Sequence, residues 1–137
     1  MKKILFLFAA VVLITISAKA QSVVTMPLAA GDTITNTGTA SKVFTASAGY
    51  SGVIVQVNLT KLSGTGAGTV QMQGSLDNVT YTNIGSAFTI TNVTTQAAYF
   101  SISGPLPYYI KVLSTGSGTE SVKQTVKYVL RKYDRTL

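Results

Sequence analysis

The chain has no cysteine, no histidine and no tryptophan, and only four acidic residues among 137. Each absence removes a class of chemistry. Without cysteine no disulfide can staple the fold, so burial of apolar surface has to stabilise it. Without histidine or cysteine the usual zinc ligand sets are missing, and so are Ser-His-Asp and Cys-His catalysis. The four acids, Asp32, Asp77, Glu120 and Asp134, are scattered along the chain. Hydrolysis by paired carboxylates needs two of them close together. The expectation is a protein that is not an enzyme and has no metal and no cofactor. A calcium site needs about six to eight oxygen ligands, and Asp77-Asn78 reads instead as an Asx turn closing a hairpin.

Basic residues outnumber acidic ones, eleven against four. Three of the lysines, Lys2, Lys3 and Lys19, lie in the first twenty residues, and the remainder carries eight basic and four acidic side chains. So modest an excess suits solubility and weak attraction to anionic surfaces, and implies no specific nucleic acid. The first residues have their own pattern. Met1-Lys2-Lys3 is a basic head, Ile4–Ile16 is almost wholly apolar, and Ala18-Lys19-Ala20 places small residues where a signal peptidase reads. This is the pattern of a secretory signal peptide over residues 1–20, with cleavage after Ala20 and a mature chain from Gln21. The apolar run is short for a membrane span, which needs roughly 20 residues, so the membrane is met only through this leader. The expected location is secreted, extracellular or on a virion.

Residues 21–137 read as a single all-β domain, an antiparallel sandwich of jelly-roll type. The most regular stretch is Gly52–Leu62. Val53, Val55, Val57 and Leu59 alternate with Gln56, Asn58 and Thr60, which is the period of a half-buried strand. Val70 and Met72 alternate with Gln71 and Gln73, then Gly74 and Ser75 interrupt the run. Tyr81–Ile84 and Ala87–Thr91 read as two separate short strands. Thr33–Ala40 reads as an exposed Thr-rich strand, and Lys42–Ala46 as another. Ala98, Phe100 and Ile102 face one way, with Tyr99, Ser101 and Ser103 opposite. Tyr108, Ile110 and Val112 share a side of the next strand. Glu120–Tyr133 fits strand or helix periodicity, and its β-branched and aromatic residues, with no capping signal before them, decide for strand. Ser63–Gly68 and Ser114–Thr119 are Gly/Ser/Thr loops; neither has the ending of a phosphate loop.

Two groups of side chains are candidates for a contact surface. Lys123, Lys127 and Arg131 project from one side of the last strand. They could meet an acidic partner, or they could protect an exposed strand edge from aggregation. Tyr99 and Tyr109 lie on the polar sides of their strands and could stack on sugars. Tyrosine is also an ordinary sandwich residue, with ring buried and hydroxyl wet.

The run Val70-Gln-Met-Gln-Gly-Ser-Leu-Asp-Asn-Val-Thr-Tyr-Thr-Asn-Ile-Gly85 resembles the Q-G-S-x-D-G-x-x-W-x-x-I hairpin of small β-sandwich modules in phage virion proteins. Tyr108-Tyr109-Ile-Lys-Val, a Gly/Ser/Thr loop and a Val-rich last strand resemble the ending of the same modules. Asn78 stands where glycine is usual and Tyr81 where tryptophan is usual. The leader's Ala-Lys-Ala-Gln-Ser ending resembles signal-peptide ends common in Bacteroidota. The resemblance implies a structural or interaction protein: a decoration, fibre or tail component that contacts other subunits or a host surface. The leader and the tyrosines fit a second expectation, a secreted bacterial adhesion or glycan-binding module. The partners expected are subunits of a larger assembly, further copies of this chain among them, or a cell-surface glycan.

Overall fold

The structure, a computed structural model, describes residues 23–26 and 32–132. The leader and its cleavage site lie outside these residues. Among the described residues nine strands run in order: β1 (Val24–Thr25), β2 (Thr33–Thr35), β3 (Thr39–Thr45), β4 (Tyr50–Ser63), β5 (Gly68–Ser75), β6 (Thr82–Ile90), β7 (Thr95–Ser103), β8 (Tyr109–Gly116) and β9 (Ser121–Lys132). They form two antiparallel sheets packed as a sandwich. One has the order β1-β9-β4-β7, with β2 also paired to β9, and the other has the order β3-β8-β5-β6. No helix among the described residues is long and apolar enough to cross a membrane.

The alternation in β4 decides which way the larger sheet faces. Val53, Val55, Val57 and Leu59 are buried, and burying each contributes about 1.5–3 kcal/mol. Register carries this face to the neighbours: Val55 lies opposite Phe100 of β7 and Tyr128 of β9. From the other sheet, Val70, Met72, Ile110 and Val112 complete the core. Two contacts tie the sheets together across it. Phe44 of β3 stacks on Tyr128 of β9 with ring centroids 4.1 Å apart. The Ser114 hydroxyl of β8 donates to Gln124 Oε1 of β9 at 2.7 Å. At one open edge Lys42 points inward from β3, and its Nζ meets Asp32 at 2.8 Å. An inward-pointing charge of this kind guards an edge strand against pairing with another chain.

Three strand readings need correction. The Thr-rich stretch 33–40 is not one exposed strand. A turn at Asn36-Thr37 splits it into β2 and the start of β3, and Ile34 and Ala40 belong to the core. Residues 82–90 form one strand, not two. The pairing of β5 with β6 skips from Val70–Phe88 to Met72–Ile84, so Gly85–Ala87 bulge out opposite Gln71. The Gln71 side-chain amide donates to the carbonyls of Ile84 and Gly85 at 3.1 and 3.3 Å and holds the bulge. Finally, β8 runs on to Gly116, which leaves a shorter loop than Ser114–Thr119.

Candidate functional site

The strand β9 is flanked on both sides for part of its length. It pairs with β4 over most of its length and with β1 and β2 on its other side. Lys123 and Lys127 therefore lie where β9 is paired on both sides, and Arg131 lies past the residues that β1 and β2 pair. Val122, Gln124 and Val126 are buried beneath it, so Lys123, Lys127 and Arg131 all lie on the outer face. They are four residues apart, about 13 Å at ~3.3 Å per residue.

Register then places Tyr99 on the same face. Gln56 of β4 lies opposite Lys127 of β9 on one side and opposite Tyr99 of β7 on the other. With Thr25 opposite Lys127, one row across four strands reads Thr25, Lys127, Gln56, Tyr99. Lys127 and Tyr99 are two strands apart, about 10 Å at the usual strand spacing. The tyrosine is 67% exposed, which leaves its ring open to a stacking partner. Between cation and ring, the Gln56 amide donates to Asn58 Oδ1 at 2.8 Å, so two side-chain amides are held in a fixed line. In the next row Ile54 lies opposite Val129 and Ser101, which adds a small apolar patch. Tyr99 also stands at the lip of a cleft of about 350 Å³ between β6 and β7, floored by Met72, Phe88 and Phe100.

Tyr109 lies elsewhere. It is on the outer face of the other sheet, opposite Thr45 and Ser75, with its ring edge-on to Tyr108 at 4.8 Å. Four of the five candidates therefore share a face, and Tyr109 does not.

Near Tyr109 the β5–β6 hairpin tip is rigid. Ser75 Oγ accepts from the backbone N–H groups of Asp77 and Asn78. Asp77 Oδ1 accepts from Val79 and Thr80 at 2.9 and 2.8 Å. These bonds, with that from the Ser75 hydroxyl first, hold the Asp77 carboxyl well below the usual carboxylate range. Tyr81 donates its hydroxyl to Asn78, and Lys111 Nζ sits 3.7 Å from its ring centroid. Desolvation first, then the charges of Tyr109 and Asp77, pushes the Tyr81 phenol above its ordinary value. Asp77 is thus spent on the turn, as its Asx reading expected. No group of three or more potential metal-ligating His, Cys, Asp or Glu occurs among the described residues.

No family model matches the chain, and no curated protein sequence matches it. Among solved structures it is similar to PBSX exported protein XepA, at 12% identity and a TM-score of 0.57 over 85% of this chain. The match spans 39% of that protein, well under half its length. The chain is also similar to CBM28, a non-crystalline cellulose specific carbohydrate-binding module, at 8% identity and a TM-score of 0.49, covering 83% of this chain and 74% of that one. A further similarity is to Tobacco streak virus coat protein, at 13% identity and a TM-score of 0.47, covering 87% and 90%. At 12% identity the XepA likeness speaks to the sandwich fold alone.

The sequence reading missed Gln56 and Asn58 as members of the site. Both were legible as the polar side of a strand. Only the pairing of β4 with β7 and β9 shows that they join Tyr99 to Lys127.

Proposed function

We propose that the chain is a non-enzymatic attachment module that holds an extended acidic polymer against the outer face of its five-stranded sheet. One observation carries this reading: the row Lys127, Gln56, Tyr99, flanked by Lys123 and Arg131 on the same face. Cations about 13 Å apart along β9 match repeated charges on a chain better than one small ligand. Amides and an open tyrosine ring beside them supply hydrogen bonds and stacking. The setting we infer is a virion accessory component, a decoration, fibre or tail module that contacts other subunits or a host surface. The Gly68–Val126 resemblance to virion modules supports it, and the exported XepA gives a precedent for export of this sandwich. A second setting, a secreted bacterial glycan-binding module, is favoured by Tyr99 standing in the cationic row.

The test is retention of the full chain on beads carrying an acidic polysaccharide, a neutral polysaccharide or nothing. Retention on the acidic beads alone, released by salt, is expected. Equal retention on neutral beads would remove the acidic polymer from the account. Recovery of the chain in purified particles rather than in cell envelopes would decide for the virion setting.

A further inference from the structure

Away from this face, the edges of the two sheets differ in how they are guarded. A free edge strand is a template for pairing with another chain, and short strands, bulges and charges are the usual protection. Among the described residues three edges carry such a device. β3 has the inward Lys42, and β6 has the bulge at Gly85–Ala87. Beside β9 the edge is made of β1 and β2, two and three residues long, and past them of Arg131 and Lys132. The fourth edge, β7, has none. It is nine residues long, pairs with β4 without a shift of register, and contains no proline. Between Asp77 and Lys111 the sequence has no charged residue, so both strands of this flank, β6 and β7, are uncharged.

Hydrogen bonds at the two ends of β7 show which of its groups are free. The Thr94 carbonyl accepts from the Lys61 N–H, and the Gly104 N–H donates to the Ser51 carbonyl. By the alternation of an antiparallel ladder, the even-numbered residues between them bond β4. The N–H and C=O groups of Thr95, Ala97, Tyr99, Ser101 and Ser103 therefore point away from β4, along the open edge. Tyr99 is the middle residue, so the strand is matched to itself. Run antiparallel against a copy centred on Tyr99, it pairs from end to end, with Thr95 opposite Ser103 and Ala97 opposite Ser101. On the inner face Ala98 then meets Phe100, a small side chain against a large one.

We propose that β7 is the interface of a two-fold dimer, in which a second copy of the chain extends the five-stranded sheet across this edge. A second copy fits the edge better than another partner does. The flank offers no charge for an acidic or basic segment to pair with, whereas two copies of a chain with a basic excess meet here without repulsion. Lys127 and its counterpart would lie five strand spacings apart, about 24 Å, well beyond the ~8 Å screening length at physiological salt. The contact uses up the free edge of both copies, so the assembly closes at two. It also sets the two clefts of about 350 Å³ between β6 and β7 face to face, which removes apolar surface from water. The outer face of each sheet stays uncovered, so the inference stands apart from polymer binding.

The test uses the full chain without any polymer, so its outcome is independent of the bead experiment. Sedimentation equilibrium should give twice the mass of one chain, falling to one on dilution. Ala97→Pro removes an outward N–H that β4 does not use and should give one chain's mass at the same concentration. Because the chain has no cysteine, single cysteines test the register without relying on the proline variant. Tyr99→Cys puts two thiols on directly opposed residues, about 5.5 Å apart at Cα, within the span of a disulfide, and should cross-link on mild oxidation. Ala97→Cys should not, since its counterpart lies four residues away, about 13 Å along the strand. Equal cross-linking of both cysteine variants, or a folded proline variant that stays dimeric, would overturn the proposal. So would assemblies larger than two, or one chain's mass at every concentration, which would leave β7 to a strand of another protein.

Discussion

Asn78 shows how a single backbone position dictates its residue. It has φ 61°, a left-handed conformation that costs most residues energy and that asparagine tolerates better than others. That explains how asparagine can stand where glycine is usual in the resembling hairpins. Tyr81 is likewise positioned by its neighbours, with its hydroxyl on Asn78 and Lys111 over its ring. Asp77 links this turn to pH. Its folded-state carboxyl is held low, so the stability it contributes is present at neutral pH. That stability is lost progressively as pH falls below about 4, as the group becomes protonated in the folded chain too. Asp77→Asn should therefore melt lower than wild type at pH 7, and the gap should narrow by pH 2. A gap of constant size across thermal melts from pH 7 to pH 2 would mean that the charge is not what holds the turn. In the core, Val55 is fully buried and Gln56 lies on the outer face. Val55→Asp should cost several kcal/mol, of the order of a domain's whole stability, and Gln56→Asp much less. Urea unfolding of both variants checks this, and equal midpoints would refute the register of β4.

Among the elements, those with strict alternation were legible in the sequence. In β4, β7 and β9 the buried residues are the ones the period of two selects. The stretches misread are those where local pattern and tertiary pairing disagree. In 33–40 the run of threonines hides a turn at Asn36, and the buried Ile34 and Ala40 are too far apart to show one face. In β6 the bulge at Gly85–Ala87 breaks the alternation without breaking the strand, so one element reads as two. The central place of β9 could not be read locally either, because it depends on pairing with β4, whose register is long-range. That placement has a measurable consequence. Amides of β4, and those of β9 opposite β1 and β2, should exchange with deuterium last, and those of β6, at the sheet edge, much earlier. Faster exchange in β9 than in β6 would show that the last strand is not interior in solution.

For the molecule as a whole, composition and alternation were enough to indicate a sandwich, because a chain without cysteine and rich in alternating β-branched residues must bury two sheet faces together. The contact face was legible only in pieces. Lys123, Lys127 and Arg131 share a side by spacing alone, whereas Tyr99 joins them only through the β4 register, and Tyr109 is separated from them by the thickness of the core. Exposed charges contribute little to stability, so changing them tests the face without unfolding the chain. The central claim is tested most directly by a salt series of retention on acidic polysaccharide beads. It compares wild type, the triple change Lys123→Gln, Lys127→Gln, Arg131→Gln, and the single changes Tyr99→Ala and Tyr109→Ala, all with melting temperatures checked. The account predicts that the triple change loses at least about tenfold in affinity at low salt, where screening is least. Tyr99→Ala should weaken binding at every salt concentration, and Tyr109→Ala should bind as wild type does. Retention of the triple variant equal to wild type throughout the series would contradict the account and leave the five-stranded sheet's outer face a solvated surface.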